Sequence, residues 1–321
     1  MCAALQAASS VRAQSALDKL ERVEMFGHEY VRVAAWAKAY HFHANWTHRE
    51  EELTVTSKWN RVVFNVDSPV AAINGINVSL SAPIARRNSE AFITPLDLKA
   101  TLHPLLFMPS RGKTEKVKTI CLDPGHGGKD PGFLQGKQLE KKCTLLFAEE
   151  LKRQLVEADF KVLLTRTNDT FKELNERTEY AHKVKADLFV SLHFNSVSDS
   201  SVSGVETYCM TPAFASSSNA HGEGANSGSY PGNHYDDRNM LLAWNVQKRL
   251  VKDLGSDDRC VKRARFAVLR YAEMPAILIE GGFLSHPQEQ KDILSAAWRT
   301  RAAEAIVAGI QSYKKLVEQG D

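Results

Sequence analysis

KVKTICLDPGH, running from Lys116 to His126, is a short apolar run that stops at a tight turn. Val117 to Leu122 has the length of a buried strand, and Asp123, Pro124, Gly125, Gly127 and Gly128 place turn residues on both sides of His126. A strand ending this way delivers its last side chain to the mouth of a sheet. Taken alone, a histidine on such a turn reads most simply as a surface residue. Its company further along the chain changes that reading.

Downstream, Leu139, Cys143, Phe147, Leu151 and Leu155 recur at spacing four among charged residues, which predicts a helix over Leu139 to Ala158. KVLLT then reads as a strand, LNERTEYAHKVKA as a helix and DLFVSLHFN as a strand entering a turn. Gly204 to Met210 is a further strand, and Pro212 to Arg238 has the Ser, Gly and Asn content of a long loop. Asn239 to Asp253 reads as a helix, Phe266 to Leu269 and Ala276 to Glu280 as strands, and Trp298 to Tyr313 as a closing helix. Alternating strands and helices predict an α/β fold, with a twisted, mostly parallel or mixed sheet flanked by helices.

Upstream, the pattern changes to a small α+β module over residues 21–108. YVRVAAWAKAYHF carries helical spacing, LTVTS and RVVFNV alternate as half-buried strands, and the Asn74-Gly75 pair predicts a hairpin turn before INVSL. FITPLDLKATLHPLL has a second helical outline. Residues 109–116 read as a polar linker, 117–316 as the larger α/β domain and 317–321 as a charged tail that frays. Residues 1–20 read as a remnant of a signal peptide: small residues are present, but neither a basic start nor a full apolar stretch.

With 321 residues, 43% hydrophobic and 25% charged, the chain has ample core for two domains. A net charge of +3 is far from the signature of a nucleic-acid binder, and no transmembrane segment of about eighteen or more apolar residues is present. Cys2, Cys121, Cys143, Cys209 and Cys260 have no CxxC spacing, so they indicate neither a disulfide framework nor a cysteine metal site. His28, Glu29, His41, His43 and His48 also lack orderly ligand spacing and read as solvated or edge residues.

Three ionisable residues close buried strands: His126 after VKTICL, His193 in LFVSLH and Glu280 in PAILIE. Ligands of α/β sheets gather at the carboxyl ends of parallel strands, so three strands would bring His, His and Glu to one edge. Glu140 joins from the first turn of the following helix, where the helix dipole alone already favours an acid. Two imidazoles and one carboxylate are the donor set of a catalytic zinc with an open position, and the other carboxylate is then free to act as a base. Glu280, in an apolar run before Gly281 and Gly282, would be costly to bury without a partner. A lone histidine between Leu192 and Phe194 is more often a satisfied core residue.

From Lys116 to about Leu316 the sequence resembles the zinc-dependent N-acetylmuramoyl-L-alanine amidases of the bacterial cell wall, in their type 3 catalytic domain. The resemblance rests on LDPGHGGKDPG, LEKK, LLTRTND, LNERTEYAHKVKADLFVSLHFNS, RFAVLR and ILIEGGFLSHP, in that order. It implies that His126, Glu140 and His193 bind one Zn2+ and that Glu280 is the catalytic glutamate; Glu140 would not have been selected on spacing. It also implies peptidoglycan as substrate, cleaved between N-acetylmuramic acid and L-alanine, and a place in the periplasm or outside the cell. The alternatives are a catalytically silent peptidoglycan-binding protein and a zinc peptidase acting within the stem peptide. A protein activator and the oligomeric state stay open. GHEYVRVAAWAKAYHFHANW, INGINVSL and FITPLDL resemble the copper amine oxidase N-terminal-like module, which implies a binding or spacing role.

The chain departs from the amidase pattern in two places: Cys260 replaces a glycine between Arg259 and Val261, and His286 replaces an asparagine after Ser285. Some relatives carry an occluding helix where residues 212–238 fall, but this stretch lacks an apolar stripe. Arg166 and Arg177 are candidates for structure or for an anionic substrate group.

Overall fold

The structure, a computed structural model, describes residues 16–107, 116–135, 138–218 and 228–318. Most of the N-terminal remnant, nearly all of the 109–116 linker, Cys2, His221, the middle of the 212–238 stretch and the end of the tail lie outside the described residues.

Strands β1 (Arg22–Met25) and β2 (His28–Arg32) lead into helix α1 (Val33–Ala39). An antiparallel meander follows: β3 (His43–His48), β4 (Glu52–Thr56), β5 (Arg61–Asn65), β6 (Val70–Ile73) and β7 (Ile76–Ser79). Asn74 and Gly75 turn β6 into β7 with φ of 50° and 83°, the doubly left-handed conformation that an Asn-Gly pair accommodates. β8 (Ala85–Arg87) and β9 (Glu90–Ile93) complete a four-stranded sheet with β1 and β2. Three helical turns then run from Pro95 to Leu106 through a π-helical Leu98–Leu102.

The remainder alternates: β10 (Thr119–Pro124), the short hairpin β11 (Leu134–Gln135) and β12 (Gln138–Leu139), α2 (Glu140–Glu157), β13 (Lys161–Leu164), α3 (Leu174–Lys183), β14 (Leu188–Asn195) and β15 (Val205–Met210). After a 3-10 turn over Pro231–Tyr235 come α4 (Asp236–Leu254), β16 (Asp258–Ala264), α5 (Ala267–Arg270), β17 (Ala276–Phe283), α6 (Pro287–Leu294) and α7 (Ala296–Glu318). The large sheet has the order β13-β10-β14-β17-β15-β16-β7-β6-β5-β4-β3. Its β13, β10, β14 and β17 are parallel, whereas β15 runs antiparallel to β17, so the sheet is mixed.

Side chains alternate across this sheet as strand geometry requires. Ile120, Leu122, Leu188, Val190, Leu192, Ile277 and Ile279 join the core beneath α2, α4 and α7. Cys121, Phe189, Ala276 and Leu278 face the opposite core with Ala181 of α3 and Val268 and Leu269 of α5. The spacing-four stripe of α2 is the face that Cys143, Phe147, Leu151 and Leu155 bury.

Two readings of the sequence are corrected. Phe266 to Leu269 is not a strand: the strand lies earlier, at Asp258–Ala264, and Ala267–Arg270 is a helical turn. Charges hid the strand, because Arg259 and Lys262 reach a buried carboxylate and Arg263, itself buried, donates to the carbonyls of Met210 and Ala100. The loop expected to run to Arg238 ends at a helix beginning at Asp236, whose two acids in the first turn suit a helix N-terminus.

The meander continues the same sheet as the downstream strands, through the parallel pairing of β7 with β16 at Val78 and Val261. Cys260 sits at this seam with φ of 91°, a conformation that favours glycine, and its Sγ lies 3.3 Å from Ser79 Oγ. The side chain that replaces the expected glycine thus packs β16 against β7.

Near α1, Trp36 donates from Nε1 to Nε2 of His103 at 3.4 Å, among the rings of Tyr40 and Phe107. Burial pulls His103 down to about 4. The unfolded chain takes up this proton first, near pH 6.5, so the stabilisation is present above that pH and is lost as pH falls towards 4. Urea unfolding at pH 7 and pH 4.5 is expected to show a difference of about 2 kcal/mol from this residue, absent in His103→Phe.

Candidate metal centre and active site

The turn after β10 places His126 at φ of 61°, and Gly127 and Gly128 follow at 128° and 56°. Two arginines hold this strained path. Arg166 donates to the carbonyls of Pro124, Gly125, Asn168 and Lys141 at 2.8 to 3.1 Å. Arg177 donates to Asp123 Oδ1 at 2.8 Å, to Pro124 O at 3.1 Å and to His126 O at 3.0 Å. Both are 3% exposed and their donors are occupied, so of the two roles left open for them the structural one fits. Asp123 also accepts from Thr165 and Ser191, which ties β10 to both neighbouring strands. Asp123→Ala leaves the Arg177 charge buried and unpaired, and is expected to cost about 3–5 kcal/mol in urea unfolding.

His126, Glu140 and His193 come together, and one ligand atom from each lies within 4.8 Å of the others. Nε2 of His126 and Nδ1 of His193 are 3.0 and 3.1 Å from the same Oε1 of Glu140. Phe194 N donates to that oxygen and Phe133 N to Oε2, so the carboxylate, 5% exposed, is fixed from both sides. Gly125 and Gly132 are needed for the approach: a Cβ at Gly125 would overlap the His193 ring, and one at Gly132 would meet Glu140 and His126. On the far side of His126, Nδ1 is 2.8 Å from Asp130 Oδ2. A carboxylate on the outer nitrogen is the usual support of a metal-binding imidazole, because it fixes tautomer and ring orientation. Asp130 was not singled out in the sequence, although a carboxylate four residues past a turn histidine is the signal that could have found it.

The electrostatics agree with a cation-binding cluster. Burial works to lift Glu140, but the hydrogen bonds from His126 and His193 overcome it and hold the carboxyl far below its usual range. Burial likewise works to lower His126, and Glu140 and Asp130 outweigh it, leaving the imidazole raised. Two imidazoles and a carboxylate with a preset second carboxylate fit zinc, and the same donors attract protons when no metal is bound.

Glu280 is the cross-strand partner of His193 in β14 and of Glu206 in β15. Its Oε2 is sealed from solvent and makes no hydrogen bond among the described residues. Burial first, then the charges of Glu140 and Glu206, push its carboxyl well above the usual range, with Lys262 opposing. A cation on the neighbouring triad would draw it back down. Glu206, 1% exposed, was also not singled out; it accepts from Arg259 at 2.9 Å, Lys262 at 2.7 Å and Tyr208 at 2.8 Å. Among the other histidines, His286 caps α6 by accepting from Glu289 N, and His182 pairs with Glu273 at the surface.

Residues 120–312 match the family profile described as N-acetylmuramoyl-L-alanine amidase. The chain is 32% identical over 271 residues to the N-acetylmuramoyl-L-alanine amidase AmiC of Neisseria meningitidis serogroup B, covering 78% of this chain and 62% of that one. It is 35% identical over 196 residues to the N-acetylmuramoyl-L-alanine amidase LytC of Bacillus subtilis, covering 61% and 35% respectively. The chain therefore spans only 35% and 62% of the length of these two relatives. The crystal structure of N-acetylmuramoyl-L-alanine amidase from Clostridium difficile 630 superposes with a TM-score of 0.52 at 33% identity, covering 62% of this chain and 97% of that one. With more than half of its length matched by the profile, the chain belongs to the N-acetylmuramoyl-L-alanine amidase family.

Proposed function

We propose that the protein is a peptidoglycan hydrolase that cleaves the amide between the lactyl group of N-acetylmuramic acid and L-alanine, with His126, Glu140 and His193 holding one zinc ion and Glu280 as the catalytic base. The observation that carries this reading is the convergence of the three donors beside a carboxylate, Glu280, that has an unpartnered buried oxygen. Zinc bound there supplies a Lewis acid for the scissile carbonyl and lowers the pKa of the attacking water. Glu280 takes the proton from that water and delivers it to the amide nitrogen as the C–N bond breaks, so the peptide leaves as a neutral amine. Asp130 keeps His126 in one tautomer, and the two arginines keep the turn from relaxing. The grouping of His126, Glu140 and His193, with Glu280 as the cross-strand partner of His193, supports an active enzyme over a silent domain.

Peptidoglycan as substrate places the working protein in the periplasm or outside the cell. Among the described residues no helix is long and apolar enough to cross a membrane. We assign residues 21–108 to wall binding or spacing, and leave room for a protein activator. Incubation of purified protein with intact sacculi tests the reading: soluble stem peptides with a free L-alanine amine are expected. Binding to sacculi with no peptide released supports the silent alternative, and peptides truncated at their amino end support the peptidase.

A further inference from the structure

The edge of the large sheet that carries His126, His193 and Glu280 does not stop at the catalytic strands. β15 is antiparallel to β17, so its start, at Val205 and Glu206, lies at that same edge. β16 and β7 run parallel to β15, and Asp258 and Ile76 bring their own starts there as well. At this continuation an open depression of about 580 Å³ lies between the catalytic strands and the N-terminal meander, lined among others by Val70, Asn77, Ser203, Asp257 and Arg259.

Arg259 is held in place from three directions. Its Nε donates to the buried Glu206 at 2.9 Å, its guanidinium carbon stands 5.0 Å from the centroid of the Phe283 ring, and its Cγ abuts Gly204, where φ is 111° and a Cβ would collide. These contacts use Nε and the face of the guanidinium. The two Nη groups make no hydrogen bond among the described residues, so a pre-oriented pair of donors remains at the wall of the depression. Asp257 also lines the depression; its Oδ2 accepts from Ser203 Oγ at 2.8 Å, and Oδ1 has no partner among the described residues. Asp258, by contrast, is occupied by Asn77 N, Gln247 and Cys260 N. The wall thus offers one free guanidinium fork and one free carboxylate oxygen, a pair that suits a ligand bearing both a carboxylate and an ammonium.

We infer that this depression is a second substrate subsite, which takes a zwitterionic peptide segment of the polymer whose amide is cut at Glu280, with Arg259 on its carboxylate and Asp257 on its ammonium. The inference rests on the amidase reading for the identity of the polymer, and it gives the meander, through Val70 and Asn77, a direct share in binding. Arg259 is thereby a specificity-determining residue: through Glu206 it is one ion pair away from the strand position opposite Glu280.

Calorimetric titration of the full metal-loaded chain with the tripeptide L-Ala-γ-D-Glu-L-Lys tests it. Wild type is expected to bind, and Arg259→Lys and Val70→Trp, which fills the depression, to bind at least tenfold more weakly. The tripeptide acetylated on its lysine amine is expected to bind wild type at least fivefold more weakly. Val70 is partly exposed, so its variant decides the matter if Arg259→Lys does not fold. No binding to wild type, or affinities within twofold of wild type in the folded variants, overturns the subsite. Release of stem peptide from sacculi, measured on the same samples, separates the two claims: binding that is sensitive to both substitutions without any release overturns the amidase reading and supports the subsite, whereas release with insensitive binding overturns the subsite alone.

Discussion

Glu280→Gln is expected to reduce stem-peptide release by about 10²- to 10⁴-fold, to keep one zinc per chain, and to make the metal-free protein more stable. The combination follows from where the carboxylate sits. It is not among the clustered ligand atoms, so its removal leaves the donors of His126, Glu140 and His193 in place. It faces Glu206 across the strand pair and has an Oε2 without a partner, which is a destabilising arrangement in a protein that gains nothing else from it. An amide of the same shape is neutral without taking up a proton, so metal-free Glu280→Gln is expected to be more stable than wild type above the ordinary carboxylate range. Activity assays, elemental analysis and urea unfolding of one preparation check the three parts. A variant that keeps full activity removes Glu280 from the chemistry; one that loses zinc makes it a ligand.

Glu140→Ala is the second large effect, and its signature is the reverse. Glu140 Oε1 is the atom on which both imidazoles converge, and its two oxygens also receive the amides of Phe194 and Phe133. Losing it is expected to drop zinc occupancy below one tenth at micromolar protein, to abolish release, and to destabilise the metal-free chain by about 3–5 kcal/mol, because the amides of Phe133 and Phe194 and the inner nitrogens of both imidazoles lose the carboxylate they share. Chelation of wild type is expected to abolish release with the fold intact, and added zinc to restore it. Zinc should therefore rescue chelated wild type and fail to rescue Glu140→Ala. Rescue of that variant at micromolar zinc would show that His126 and His193 suffice, and that Glu140 is a structural residue.

The two carboxylates also show how far the sequence could be read. Glu280 was legible because it ends an apolar run, where an acid is out of place without a reason; its strand is buried as expected. His126 and His193 were legible from strand-end position, and the parallel pairing of β10 with β14 brings them to one edge. Glu140 was not legible from its own neighbourhood, since an acid in a first helical turn needs no further explanation, and only the resemblance marked it. Asp130 and Glu206 were missed for a different reason: each acts through a partner distant in space or on the far side of a turn, and one-dimensional spacing does not carry that information. The strand at Asp258–Ala264 was misplaced because its charged residues face a buried acid and buried carbonyls rather than water, which inverts the ordinary pattern. The join of β7 to β16 was invisible for the same reason that long-range pairing usually is: Val78 and Val261 are unremarkable in their own segments.

The central claim is that water attacks one particular carbonyl, and hydrolysis of purified peptidoglycan in ¹⁸O-labelled water reads this directly. One heavy oxygen is expected in the lactyl carboxylate of the muramic acid product, with none in the released stem peptide, and no label in either product after chelation. Label in a carboxylate of the peptide itself, or unlabelled release of glycan and peptide, would contradict the assignment of His126, Glu140, His193 and Glu280 to a muramoyl-L-alanine amidase centre.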